Sequence, residues 1–227
     1  MCSQDTSQSF SKANLHVLIQ FNEKRKVISI MKKGKIIFLN GTSSSGKSTL
    51  AKTLQRKLPE PYFCIAMDTF TDIISPWFTG DFNGETSEIL ERQSLSAMHH
   101  TIKLYSDLGY NVIVDDVICK WVSSQGIEYR LLEECVELMH DYPILFVKVY
   151  CPLEELKRRE IERGDRDIGS AEGNYSILYP KDDYDIVVNT YINTPEECAD
   201  MIINLLEQPE CYKAFKQLKR KLSVSSL

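Results

Sequence analysis

The stretch Gly41-Thr42-Ser43-Ser44-Ser45-Gly46-Lys47-Ser48 constrains this chain more than any other. It follows the apolar run Ile36-Ile37-Phe38-Leu39 and leads into a segment with Leu50, Ala51 and Leu54 at helical spacing. A strand, a glycine turn and a helix in that order match the pattern G-x-x-x-x-G-K-[ST]. Glycine lets the backbone turn tightly and approach a phosphate closely. Successive N–H groups then form a concave anion nest at the positive end of a helix. In such a nest Lys47 reaches the β- and γ-phosphates of a nucleoside triphosphate, and Ser48 offers its hydroxyl to Mg2+. Gly41, Thr42, Ser43, Ser44, Ser45, Gly46 and Thr49 are the remaining nucleotide contacts this reading expects.

The rest of the chain alternates strand and helix. Strands are expected at Lys35–Asn40, Tyr62–Met67, Asn111–Val114, Ile144–Tyr150 and Tyr184–Val188. The runs are apolar throughout, as strands buried on both faces are. Helices are expected at Ser48–Leu58, Thr86–Leu108, Gln125–His140 and Pro152–Arg163. A last one runs to Leu206 from the capping box Thr194-Pro195-Glu196-Glu197. Strands separated by helices pair in parallel through right-handed crossovers. The expected fold is therefore an α/β three-layer α/β/α sandwich on a parallel sheet of about five strands.

Residues 1–30 read as an N-terminal extension that the compact domain, 31–207, does not need. Residues 208–227 form a basic tail. In it Tyr212, Phe215, Leu218 and Leu222 share one face, ringed by Lys213, Lys216, Lys219, Arg220 and Lys221. Such a helix either docks its apolar stripe or meets a nucleic acid or a membrane. The net charge of −5 gives the chain no general attraction for nucleic acid or anionic membrane. Seven cysteines without a C-x-x-C pair argue against both a disulfide framework and a zinc site. Cys64, Cys135 and Cys151 lie in apolar runs and are expected to be buried thiols. No apolar stretch spans a bilayer and no signal peptide is read, so a cytoplasmic location is expected.

Four further groups carry candidate chemistry. Asp115 and Asp116 follow a strand expected beside the phosphate loop, the position of a magnesium-holding acid. Alternation sends them to opposite faces, so which one meets the metal stays open. Asp68 ends the second strand, where an acceptor would sit. It is either a base for a hydroxyl or the N-cap of the helix that follows. Arg159 and Arg163 share a helix face, and Gly164 then breaks the helix before Arg166. With Gly169 and Gly173 beyond, residues 163–178 read as a lid whose Arg163 and Arg166 steady a transferring phosphoryl group. The alternative is surface pairing, such as Glu154 with Arg158 and Glu155 with Arg159.

These stretches resemble the chloramphenicol phosphotransferase-like family of P-loop kinases, from Ile36 to about Leu206. The resemblance rests on Leu39-Asn40 with the glycine turn, Leu58-Pro59-Glu60-Pro61, Met67-Asp68-Thr69, Val112-Ile113-Val114-Asp115-Asp116-Val117 and Arg159-Glu160-Ile161-Glu162-Arg163-Gly164-Asp165-Arg166. Tyr184-Asp185 before Thr190 adds to it. It implies transfer of the γ-phosphoryl group of ATP to a hydroxyl. The family's catalytic aspartate falls on Asp68, its lid arginines on Arg163 and Arg166, and Arg159 joins the nucleotide contacts. Asn174 and Tyr179 stand where the family tends to have Gln and His, and Asn189 where an acid is common. The segment between Thr69 and Leu108 is also shorter than in the antibiotic-modifying member. That segment would line the acceptor pocket, so the antibiotic itself is not carried over as the substrate; the partner expected is a small-molecule hydroxyl acceptor.

Two other readings compete. One is a kinase of a nucleoside, nucleotide or sugar-nucleotide; the other is a nucleotide-binding switch without an acceptor. A switch needs no base at Asp68. A protein kinase is disfavoured by the lack of G-x-G-x-x-G and H-R-D motifs. A GTPase is disfavoured because no N-K-x-D-type guanine-reading segment is present. The exposed faces of Thr86–Leu108 offer room for an oligomer.

Overall fold

The computed structural model describes residues 32–74, 84–122, 126–164, 168–178, 180 and 182–224. Five strands, β1 (Ile36–Asn40), β2 (Tyr62–Ala66), β3 (Asn111–Asp116), β6 (Ile144–Tyr150) and β7 (Ile186–Asn189), form one sheet in the order β2-β3-β1-β6-β7. Every pairing in it is parallel. A separate antiparallel pair joins β4 (Trp121–Val122) to β5 (Glu128–Tyr129).

The alternation of side chains along β1 sorts the core into two layers. Ile36 and Phe38 face one side, together with Val112, Val114, Ile144 and Phe146. There they meet helices α3 (Gly84–Asp107), α4 (Leu131–Met139) and α8 (Ala214–Val224). Ile37 and Leu39 face the other side, with Ile113, Leu145 and Val147. They meet α1 (Lys47–Lys57) and α7 (Pro195–Leu206). This is the expected three-layer sandwich. Burying each such side chain contributes about 1.5–3 kcal/mol, which makes the centre of the sheet a rigid base for the loops at its carboxyl edge.

Some boundaries differ from expectation. The helix expected over 125–140 begins only at Leu131, because Gly126 takes φ 79° and the chain there makes the β4–β5 pair instead. Pro152 is the N-cap of α5 (Leu153–Arg163) rather than its first residue. Cys135 and Cys151 are buried as expected, but Cys64 is exposed, since β2 is an edge strand whose face opens onto a cleft there. Residues 1–30, Arg166 and Tyr179 lie outside the described residues.

The basic tail docks. Phe215 and Leu218 of α8 are buried against Phe38 and Phe146, with ring centroids 5.9 and 5.1 Å from Phe215. Asp185 at the entry to β7 accepts hydrogen bonds from the N–H groups of Lys213 (2.7 Å) and Ala214 (2.8 Å), satisfying the start of that helix. Lys219 pairs with Glu137 and Lys221 with Asp183. Among the described residues, no helix is long and apolar enough to cross a membrane.

Candidate active site

The turn between β1 and α1 needs its two glycines for different reasons. A Cβ on Gly41 would lie 2.5 Å from the carbonyl oxygen of Val149, so only glycine lets the turn pack against β6. At Gly46 there is space, but φ is 91°, a left-handed conformation that side chains disfavour. Ser44 shares that conformation at φ 61°. Such non-glycine outliers cluster where a backbone is shaped for a ligand.

The nest carries the marks of an anion site. Gly46 caps α1 without any side-chain hydrogen bond, and the first turn holds no acid. The hydroxyls of Ser44 and Ser45 are buried without a hydrogen-bond partner. Lys47 is 7% exposed, and its Nζ donates to the carbonyls of Gly41 and Thr42, each at 2.9 Å. A buried ammonium folded onto its own loop, beside orphaned hydroxyls and helix N–H groups, suits phosphate oxygens.

Beside it, Ser48 Oγ donates to Asp115 Oδ2 at 2.6 Å, and Lys47 Nζ lies 3.8 Å from Asp115 Oδ1. A hydroxyl and a carboxylate are hard oxygen donors and fit magnesium. No three His, Cys, Asp or Glu side chains gather into a metal cage among the described residues. A magnesium ion shared with phosphates needs only one or two protein oxygens.

The two acids therefore part company. Asp116, expected alongside Asp115, turns to the other face of β3 and away from the turn. Its Oδ2 lies 3.0 Å from His99 Nε2, and its Oδ1 accepts from the N–H of Val117 at 2.7 Å. Both Asp116 and His99 are buried.

Asp68 sits in the first turn of a short helix, α2 (Met67–Asp72), rather than at the end of β2. The N-cap is Ala66, and no side chain caps the helix, so Asp68 does not serve as the cap. It faces a cleft of about 580 Å³ at the carboxyl edge of the sheet. The same cleft is lined by Ser43, Ser44, Gly46, Lys47, Ser48, Thr49, Asp115, Arg159 and Arg163.

Arg159 is a structural tie as well as a wall. Its guanidinium donates to Glu155 (2.8 Å), to the Thr190 hydroxyl (3.2 Å) and to the Thr190 carbonyl (2.9 Å). Thr190 in turn donates to the carbonyl of Ser45 at 2.8 Å. This chain joins α5, the end of β7 and the phosphate turn. Arg158 points elsewhere and pairs with Glu155 and Glu162, not with Glu154. Hydrogen bonds from Arg158 and then Arg159 hold the Glu155 carboxyl down at about 2. Gly164 ends α5 with φ 63°.

Helix α6 (Ser170–Ile177), in the segment expected as a lid, is anchored at both ends. Buried Glu160 accepts from the N–H groups of Gly169 (2.9 Å) and Ala171 (2.8 Å). At the far end the Ile177 carbonyl accepts from the N–H of Lys120 at 2.8 Å. Sequence reading gave neither Glu160 nor Asn40 a role of its own. Asn40 accepts from the N–H of Ile118 (2.9 Å) and donates to the Tyr184 hydroxyl (2.9 Å), holding the loop after β3. An amide closing an apolar strand directly before Gly41 was the available signal, and the structure buries it fully.

A family model described as chloramphenicol phosphotransferase-like protein matches residues 34–207, and the chain belongs to that family. A Mycobacterium tuberculosis protein named "Putative O-phosphotransferase" is 29% identical over 213 residues, covering 84% of this chain and 90% of its own length. The adenylyl-sulfate kinase of Clostridium acetobutylicum is 27% identical over 187 residues, covering 79% of this chain and 86% of the relative. Among solved structures, the Mycobacterium tuberculosis APS kinase in complex with AMPPNP and APS aligns at TM-score 0.56 and 20% identity, covering 78% of this chain and 99% of that one. The shikimate kinase of Acinetobacter baumannii aligns at TM-score 0.54 and 14% identity, over 79% and 96%. At those identities the likeness speaks for the fold alone: a three-layer α/β/α sandwich on a parallel sheet.

Proposed function

We propose that this member of the chloramphenicol phosphotransferase-like family is an ATP-dependent O-phosphotransferase that transfers the γ-phosphoryl group to a hydroxyl of a small molecule. One observation carries the reading: a single cleft gathers the phosphate nest, Asp115, Asp68 and Arg163. A nest and an acid alone suit any nucleotide-binding protein. An exposed carboxylate in the same cleft is what an acceptor hydroxyl requires.

In this mechanism the N–H groups of the turn and Lys47 bind the β- and γ-phosphates. Ser48 and Asp115 hold a magnesium ion, which when bound neutralises charge on the phosphate oxygens. Asp68 orients the acceptor hydroxyl and takes its proton as the new O–P bond forms; the bond to the ADP oxygen breaks and ADP leaves. Arg163 and Arg166 draw charge from the moving phosphoryl group. The scattered free thiols favour a reducing cytosol as the setting.

The name of the adenylyl-sulfate kinase relative favours a second reading, in which the acceptor is a nucleotide. The test measures ADP release from Mg-ATP with and without chloramphenicol, in the wild type and in Asp68→Asn. Drug-stimulated release that Asp68→Asn loses while keeping its ATP affinity supports the mechanism. If Asp68→Asn weakens ATP binding and leaves transfer intact, Asp68 is not the base. If the drug does nothing, a panel of hydroxylated metabolites and nucleosides decides between the two acceptor classes.

A further inference from the structure

A second pocket, of about 280 Å³, adjoins the phosphate cleft and shares Met67 and Val117 with it. Met67 neighbours Asp68 in α2, so the pocket opens beside the carboxylate that faces an acceptor. Its volume lies just below the usual range for ligand pockets, ~300–1,000 Å³, which suits a body of about one ring.

Its walls are mostly apolar: Leu95 from α3, Leu131 from α4, Ile177 from the lid helix and Trp121 from β4. Trp121 is braced by Tyr129, with ring centroids 5.2 Å apart. The lid wall is held by the bond from Lys120 to Ile177. Among the described residues that line it, Asn174 of α6 and Glu91 of α3 carry an amide and a carboxylate, beside the Cys119 thiol.

Glu91 gives the pocket its sign. It is half-buried, and the nearest basic neighbour along its helix, Arg92, is paired with Glu134 at 2.7 Å. Burial, and then the negative charge of Glu88, push the Glu91 carboxyl above its ordinary value. A bound cation relieves both costs, and an anion adds to them. An indole wall beside the carboxylate favours a cation further.

We propose that this pocket is a selective subsite for an amine-bearing ligand with an apolar body of about one ring, with Glu91 receiving the ammonium and Trp121 flanking it. Resting on the kinase reading, the subsite holds the acceptor, which is then an amino alcohol and not a nucleotide.

The chain has two tryptophans, Trp77 and Trp121. In a Trp77→Phe background the fluorescence of Trp121 reports on the pocket without any need for turnover. The probes are phenylalaninol, its deaminated analogue 3-phenylpropan-1-ol, and adenosine monophosphate. Phenylalaninol is expected to give a saturable change at a concentration about tenfold below the deaminated analogue, with none from the nucleotide, as one charge-assisted contact implies. Glu91→Gln is expected to bring the two alcohols to within about twofold of each other, since it removes that charge. Equal binding of the two alcohols in the wild type, a preference that survives Glu91→Gln, or no saturable change with phenylalaninol overturns the inference. ADP release separates it from the kinase reading. Nucleotide-driven release without phenylalaninol binding ends the inference and leaves the kinase standing. Glu91-dependent binding with no alcohol-driven release ends the acceptor role and leaves the subsite.

Discussion

Ser48 Oγ donates to Asp115 Oδ2 at 2.6 Å, joining the helix after the glycine turn to the strand beside it. Asp115 also faces the Lys47 ammonium at 3.8 Å and is 8% exposed. Asp115→Asn keeps the shape and removes the charge. We expect kcat to fall about 10²-fold or more, as when a charge-stabilising group is removed from a reaction centre. The magnesium concentration for half-maximal rate should rise with it. Titrating magnesium against ADP release checks both, and an unchanged kcat would take Asp115 out of the reaction.

Asp116 should behave differently, although it is the next residue. Asp116→Ala leaves His99 Nε2 without its partner, while His99 Nδ1 already has none. An orphaned buried polar group costs about 1–3 kcal/mol, so thermal unfolding should move down. ATP affinity, read by calorimetry below the transition, should stay. The reverse pattern would mean that Asp116 reaches the nucleotide.

The seating of α6 on Glu160 should depend on pH. The N–H groups of Gly169 and Ala171 hold its carboxyl below the ordinary value. The anchor is therefore complete above the unfolded-state value of about 4.3 and is lost as pH falls through the lower folded value. Amide exchange across residues 170–177, corrected for intrinsic rates, should show protection falling over that range. In Glu160→Gln protection should be lower at neutral pH as well. Identical protection in both proteins would show that α6 does not hang on this carboxylate.

The C-terminal helix should be indispensable to the core. Phe215 is 3% exposed and packs against both Phe38 and Phe146, which also touch each other. Phe215→Ala should cost about 3–5 kcal/mol, the range for a buried aromatic reduced to alanine. Denaturant unfolding measures it. A loss well under 1 kcal/mol would make the tail an appendage.

What the amino-acid order settled was local. Eight consecutive residues build the phosphate nest, so its glycines, Lys47 and Ser48 are readable without knowing what packs around them. The two-residue alternation in Ile36–Leu39 likewise assigns each side chain to a core layer. Other contacts join residues far apart in the chain: Asn40 to Tyr184 across 144 positions, and Thr190 to Ser45 across 145. They exist because β1 lies between β3 and β6, with β7 beyond, an order that no local pattern carries. That order also decided between the two acids. Asp115 pairs in register with Leu39, next to the turn, and its face is the one α1 covers; one residue on, the pleat sends Asp116 to His99. Which carboxylate meets the phosphate loop is thus a property of strand order and helix placement, since alternation alone separates the faces without saying what covers either.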